Sequence, residues 1–262
     1  MSSRPRARQE MVMMTLQRSS AAAVTSTLAL AVAGWIVTVS RMHGMDMGPG
    51  TDLGSFRFFA GTWTAMMAGM MLPSALPAII SWSRHAARRA GSQVLSSIAF
   101  AAGYIAVWTL VGAAAYAADR AVRAADIGFL AWDRSGAYIV AGAVVAAGLY
   151  ELTPLKRSAL DRCRWHDAAV SPNAVVAGLR YGVNCVGCSV GLMLVLFALG
   201  AMSLTWMLVV AGLVAMEKVP RGGRRLVAPI ALVLVGLGVW IALDPSSVPG
   251  LTHPMETMKE MR

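Results

Sequence analysis

Cysteine is scarce in this chain: there are three in 262 residues, Cys163, Cys185 and Cys188. An odd and sparse set is a poor disulfide framework, which excludes the small stapled domains of secreted proteins. Charge is scarce as well, at 14% of residues, well under the ~25% usual for a soluble globular domain. The acidic side is thinner, with 13 Asp and Glu against 23 Lys and Arg, leaving a net charge of +10. Such an excess points first to nucleic acid, but the basic residues fall in short clusters between apolar runs, with no basic face interleaved with aromatics. No nucleic-acid partner is expected. Also lacking are a P-loop, a dinucleotide fingerprint, a His-Glu-x-x-His helix and a Gly-x-Ser-x-Gly elbow. The usual soluble-enzyme classes lose support, and no catalytic residue is assigned.

What is abundant is apolar sequence, 57% of the chain, which implies a membrane protein in the lipid bilayer. Arg4, Arg6, Arg8 and Arg18 precede an apolar run, Ala21 to Ser40, close to the ~20 residues that a helix needs to cross a bilayer. Ala31-Val32-Ala33 resembles a signal-peptidase site, yet the run is longer than the ~7–15 residues of a signal peptide, favouring an uncleaved helix. Further runs follow at 58–82, 93–118, 136–153, 183–202, 204–219 and 226–243. The expected fold is all-α, a polytopic bundle of about seven transmembrane helices. Cytoplasmic loops collect Lys and Arg. Arg84, Arg88 and Arg89, then Lys156, Arg157, Arg162 and Arg164, then Lys218, Arg221, Arg224 and Arg225 mark alternate connections, giving an N-inside, C-outside orientation in a bacterial-type plasma membrane. The division is a basic tail over 1–20, the bundle over 21–243 and an extracytoplasmic Met/His tail over 244–262.

Pro73 and Pro77 fall inside the second run, where each removes a backbone hydrogen bond. Gly178/Gly182 and Gly187/Gly191 are small residues four apart, which let helices approach closely.

Polar and sulfur groups within these runs are the candidate chemistry, because ionisable groups are costly in hydrocarbon. Cys185 and Cys188 are three apart on one helix, followed by Ser189. They read either as thiols for a soft metal or redox chemistry or as ordinary buried cysteines. Glu217 ends the next run and a tight hairpin near 201–204 brings it to similar depth; the other reading is an interfacial residue paired with a loop Arg. Glu151 carries the same two readings, and Lys218 points about 100° away from Glu217. The 18 methionines are partly clustered. Met66 with Met70, and Met67 with Met71, share a helix face, as a soft thioether site suited to Cu(I) or as a packing stripe. Outside the membrane lie His43, Met45 and Met47, and in the tail His253, Met255, Met258 and Met261, either Cu(I) capture residues or Met-containing linkers. Cys163, with Trp165 and His166, reads as an interfacial loop segment rather than a nucleophilic pair.

Several segments together resemble the predicted metal-binding integral membrane protein family, a domain of unknown function some of whose members carry a copper-chaperone label. They are Trp63 to Pro77, Gly103-Tyr104 through Trp108, Gly148 to Lys156, Arg162-Cys163-Arg164, Cys185 through Cys188, Leu192-Met193 and Glu217-Lys218. The resemblance implies a multi-helix membrane protein with copper as ligand. The chain departs from the family pattern in having Ser189 for a second Cys, Val190 for Trp and Ala159 for Cys, which shifts weight to Met and Glu ligands.

The sequence therefore predicts a protein that binds Cu(I) and passes it on. His43, Met45 and Met47 capture it, the Met66, Met67, Met70 and Met71 face relays it, and Cys185, Cys188 and Glu217 hold it at an inner site. Two alternatives stay open. One is a thiol–disulfide oxidoreductase using the CxxC pair, with Cys163 as resolving thiol; the other is a non-catalytic subunit of a membrane complex. A copper-receiving or membrane-complex protein is the expected partner.

Overall fold

The computed structural model describes residues 4–42, 53–87, 92–124, 132–164, 171, 173–200, 203–219 and 223–244. Regular structure among them is helical: α1 Arg4–Met42, α2 Phe56–Ala87, α3 Gln93–Ala124, α4 Trp132–Glu151, α5 Pro154–Arg164, α6 Ala174–Gly200, α7 Leu204–Lys218 and α8 Val227–Leu243, the last preceded by a 3-10 turn over Gly223–Leu226. Five helices are long and apolar enough to cross a membrane, namely those over Ala23–Met42, Phe56–Arg84, Gln93–Ala124, Ala174–Gly200 and Gly223–Leu243. A sixth span arises if α4 and α5, bent by 65° at their junction, count as one. Helix α7 has 15 residues, about 22 Å of rise, and falls short of the ~30 Å hydrocarbon core by itself.

Local signals explain the helix starts. The Ser55 and Ser92 hydroxyls accept from Phe58 and Leu95 N–H groups at 3.4 and 3.5 Å, and Asn173 Oδ1 accepts from Val175 N–H at 2.9 Å. These are side-chain caps for donors that a helix leaves unpaired. Helix α2 continues through Pro73 and Pro77.

Side-chain contacts fix the directions. Gly34 lies against Ala65 and Gly69, and Arg41 against Gly61, so α1 and α2 are antiparallel. Thr64 meets Thr109 and Trp82 Nε1 donates to Ser96, so α2 and α3 are antiparallel too. Helices α3 and α6 run parallel: a Cβ on Gly178 would strike the Phe100 carbonyl, one on Gly103 the Val175 carbonyl, and one on Gly182 the Val107 side chain. The small-residue spacing thus does what it predicted, letting two backbones nearly touch. Gly187 and Gly191 face Ala159 of α5 and Tyr150 of α4. Gly200, at φ +120°, a conformation that favours glycine, turns the chain so that Ser203 N–H reaches its carbonyl at 3.1 Å. Helix α8 packs antiparallel on α4 through Gly148 and Gly238. Leaving α5 aside, the other seven α-helices among the described residues alternate in direction along the chain.

The expected polar loop after Thr153 is instead a helix. Thr153 Oγ1 accepts from Lys156 N–H at 3.3 Å and Pro154 takes the first helical position, both of which favour a helix start. Lys156, Ala159, Leu160 and Cys163 are buried while Arg157, Ser158 and Arg162 are exposed, the three-and-four spacing of an amphipathic helix. The loop reading of Lys156 and Cys163 is corrected accordingly: a cluster of basic residues beside an apolar run need not be solvated when one face of the helix that carries it is buried.

Candidate metal centre

Three helix ends and the middle of α6 meet at one place. Helix α4 stops at Glu151 beside Gly191, and the Tyr150 hydroxyl donates to the Gly187 carbonyl. Helix α5 then crosses α6 at the level of Gly187 and Cys188, and α7 ends at Lys218 against Cys185. Ala174–Asn184 of α6, with Arg180 exposed, projects beyond that level.

The three cysteines converge here although they come from two helices. Cys163, Cys185 and Cys188 are 3%, 0% and 1% exposed, and all are free thiols. Cys188 Sγ lies 3.5 Å from Cys163 Sγ, 3.3 Å from the Cys185 carbonyl and 3.6 Å from Ser189 Oγ. Cys185 Sγ receives the Lys218 ammonium at 2.8 Å and lies 3.0 Å from the Tyr104 hydroxyl. Tyr181, one turn before Cys185, packs on Tyr104 with ring centroids 5.5 Å apart. The thiolate is the metal-binding form of cysteine, and Lys218 places a cation beside Cys185.

Next to the thiols is a buried ion triad. Lys156 Nζ donates to both Glu217 oxygens at 2.9 and 2.7 Å and also pairs with Glu151. Glu217 is therefore buried, and its partner is a lysine from a different helix rather than a loop arginine. Both Glu217 and Glu151 belong to the interior. A charge removed from water in this way persists only when paired and hydrogen-bonded; Glu217 is both, whereas Glu151 is paired with Lys156 but neither of its oxygens has a hydrogen-bond partner among the described residues.

Met66, Met67, Met70 and Met71 are all buried on α2, at 4%, 0%, 2% and 0% exposure. The register of α2 on α3 sets that turn level with Tyr104 and Trp108. Trp63, which begins the stripe, donates from Nε1 to the Trp108 carbonyl at 2.7 Å and packs on Phe197 of α6 at 5.2 Å. The methionine face and the thiol cluster thus share α3 and α7 as neighbours while standing on different helices. His43, Met45 and Met47, and His253, Met255, Met258 and Met261, lie outside the described residues.

Among the described residues, no group of three or more His, Cys, Asp or Glu side chains is arranged to hold a metal ion. What is assembled is a set of soft donors: two adjacent thiols, and a third held by an ammonium. Sequence reasoning missed Lys156, Lys218 and Tyr104 as members, and joined Cys163 to the CxxC pair only in the oxidoreductase alternative. The signals for Lys156 and Cys163 were the Thr153-Pro154 helix start and the three-and-four-residue periodicity that follows it.

No curated protein and no solved structure matches this chain. A protein-family model does: PpoB2, described as a copper chaperone, matches residues 60–241. That stretch contains the methionine face, all three thiols, both carboxylates and both lysines, and it spans well over half of the sequence. The chain belongs to the PpoB2 copper chaperone family.

Proposed function

We propose that this protein is a membrane copper chaperone that binds Cu(I) at the thiol cluster and hands it to a receiving protein. The observation that carries the reading is the 3.5 Å approach of Cys163 to Cys188, with Cys185 one turn before Cys188 and beside the Lys218 ammonium, inside the stretch matched by the copper-chaperone family. Thiolates are soft ligands suited to Cu(I), and binding to them releases their protons. Cys185 and Cys188 are the primary ligands, with Cys163 as the third donor within reach. Lys218 offsets the negative charge that thiolates bring to a buried site. Glu217 contributes through Lys156, and becomes a ligand only if it exchanges that partner.

Met66, Met67, Met70 and Met71 form a neutral thioether relay, for which no proton need be lost. His43, Met45 and Met47 and the C-terminal Met/His tail capture the ion outside. The chain crosses a bacterial-type plasma membrane seven times, N-terminus inside, with α7 as a short seventh crossing and α5 in the cytoplasmic interface. The alternating helix directions support that count.

The test is anaerobic loading of the purified full chain with Cu(I). Wild type is expected to retain about one ion per chain through desalting, and the variant C185S/C188S essentially none. Equal retention by the two would reject the thiol site.

A further inference from the structure

We propose that the outer face of α5, together with Arg224 of the 3-10 turn before α8, is a binding surface for anionic phospholipid headgroups. This rests on the placement of α5 in the cytoplasmic interface and does not depend on copper. Helix α5 leaves α4 at 65°, so it turns from a spanning direction toward the plane in which headgroups lie. Lys156, Ala159, Leu160 and Cys163 take its buried face. The other face carries Leu155, Arg157, Ser158 and Arg162, all exposed, with Leu155 at 66%. At about 100° per residue, Arg162 and Leu155 stand within about 20° of each other on one flank, and Arg157 within about 40° of Asp161 on the other. Asp161 in turn meets Arg224 at 3.5 Å, which brings the turn onto the same face.

Charge and apolar surface together select the occupant. On α3, Arg123 is held by Asp119 one turn away, at 2.9 Å. On α5 the exposed carboxylate, Asp161, goes to Arg224 instead, and among the described residues no ion pair reaches Arg157 or Arg162. Three guanidinium groups therefore face outward against one carboxylate. A guanidinium binds phosphate oxygens through two parallel N–H bonds, and the exposed leucine beside Arg162 fits the boundary between headgroups and acyl chains, where a basic helix with an apolar flank settles. An acidic protein surface complements the arginines but not Leu155, whereas an anionic phospholipid has a partner for both. Lys156 and Cys163 lie on the opposite face of the same short helix, so headgroups that hold Arg157 and Arg162 also hold the lysine of the ion triad and the third thiol in place.

The experiment uses the full chain, purified in detergent and stripped of lipid, then titrated with phosphatidylglycerol or with phosphatidylcholine of the same acyl chains while bound lipid is counted by native mass spectrometry. Phosphatidylglycerol is expected to bind at least about tenfold more tightly, less so as salt is raised. R157Q/R162Q is expected to weaken that binding at least about tenfold. R41Q/R57Q, which removes two exposed arginines at the opposite end of the bundle, keeps it within about twofold of wild type. Equal binding of the two lipids by wild type, binding indifferent to salt, or equal losses in the two variants would overturn the proposal, as would displacement of phosphatidylglycerol by inorganic phosphate at matched concentration. The wild-type comparison of headgroups decides even if the variants do not fold. Cu(I) retention, read on the same preparation, separates the two claims: a chain that keeps Cu(I) but shows no headgroup preference rejects this surface and leaves the chaperone function standing.

Discussion

Replacing Lys156 with methionine removes one ammonium and leaves two carboxylates facing each other in an apolar bundle. Glu151, Lys156 and Glu217 are 0%, 0% and 1% exposed, so water cannot substitute for the lost partner. Breaking a buried ion pair by deleting one member costs about 3–5 kcal/mol, roughly a 100- to 5,000-fold shift in the folding equilibrium. In a chain of this size the melting temperature is expected to fall by on the order of 10 °C. The eight tryptophans provide the signal, in a thermal melt of the detergent-solubilised protein. The control is E151Q/K156M/E217Q. Removing all three charges together leaves none unpaired, so this variant is expected to melt well above K156M, because apolar or neutral replacements of a buried ion network are often tolerated. The reasoning fails if K156M melts within about 2 °C of wild type, or if the triple variant melts no higher than K156M.

Two further outcomes follow from the packing and the orientation. G178A drives a methyl group into the Phe100 carbonyl and the Tyr104 backbone nitrogen, and overpacking of this kind costs about 1–3 kcal/mol. G142A, where a Cβ meets nothing within 4 Å, is expected to stay within ~0.5 kcal/mol of wild type in the same melt. A reporter fused after Arg262 is expected to be active only outside the cytoplasm, and one fused before Met1 only inside; the opposite pattern rejects the orientation.

The apolar runs made the long helices legible, because length and hydropathy are what a bilayer-crossing helix needs and a sequence shows both directly. The glycine pairs announced the close contacts of α6, and the positions of Cys185, Cys188 and Glu217 announced where chemistry would collect. Lys156 and Lys218 were illegible for a specific reason. Counting basic residues near span ends assumes that they are solvated, and the partners that keep these two out of water lie 61 and 33 residues away in the chain. Cys163 was hidden with Lys156, since both depend on α5 folding back under the bundle. The span count shows the same limit from the other side: Leu204–Lys218 is apolar enough to cross but has only 15 residues. Its end is set by Lys218 reaching Cys185, a contact that no hydropathy window detects.

Three seams of closely approaching backbones tie the helices into blocks. The first joins α3 to α6 through Gly103, Gly178 and Gly182, the second joins α4 to α8 through Gly148 and Gly238, and a third joins α1 to α2 at Gly34. Cys185 and Cys188 belong to the first block, Glu151 to the second, and α5, carrying Lys156 and Cys163, hangs from the second onto the first. The sulfurs and charges are therefore mortar between two pre-zipped masonry courses. Whatever changes their bonding is felt by both blocks at once, so the state of a few buried atoms is coupled mechanically to the joint between those two blocks.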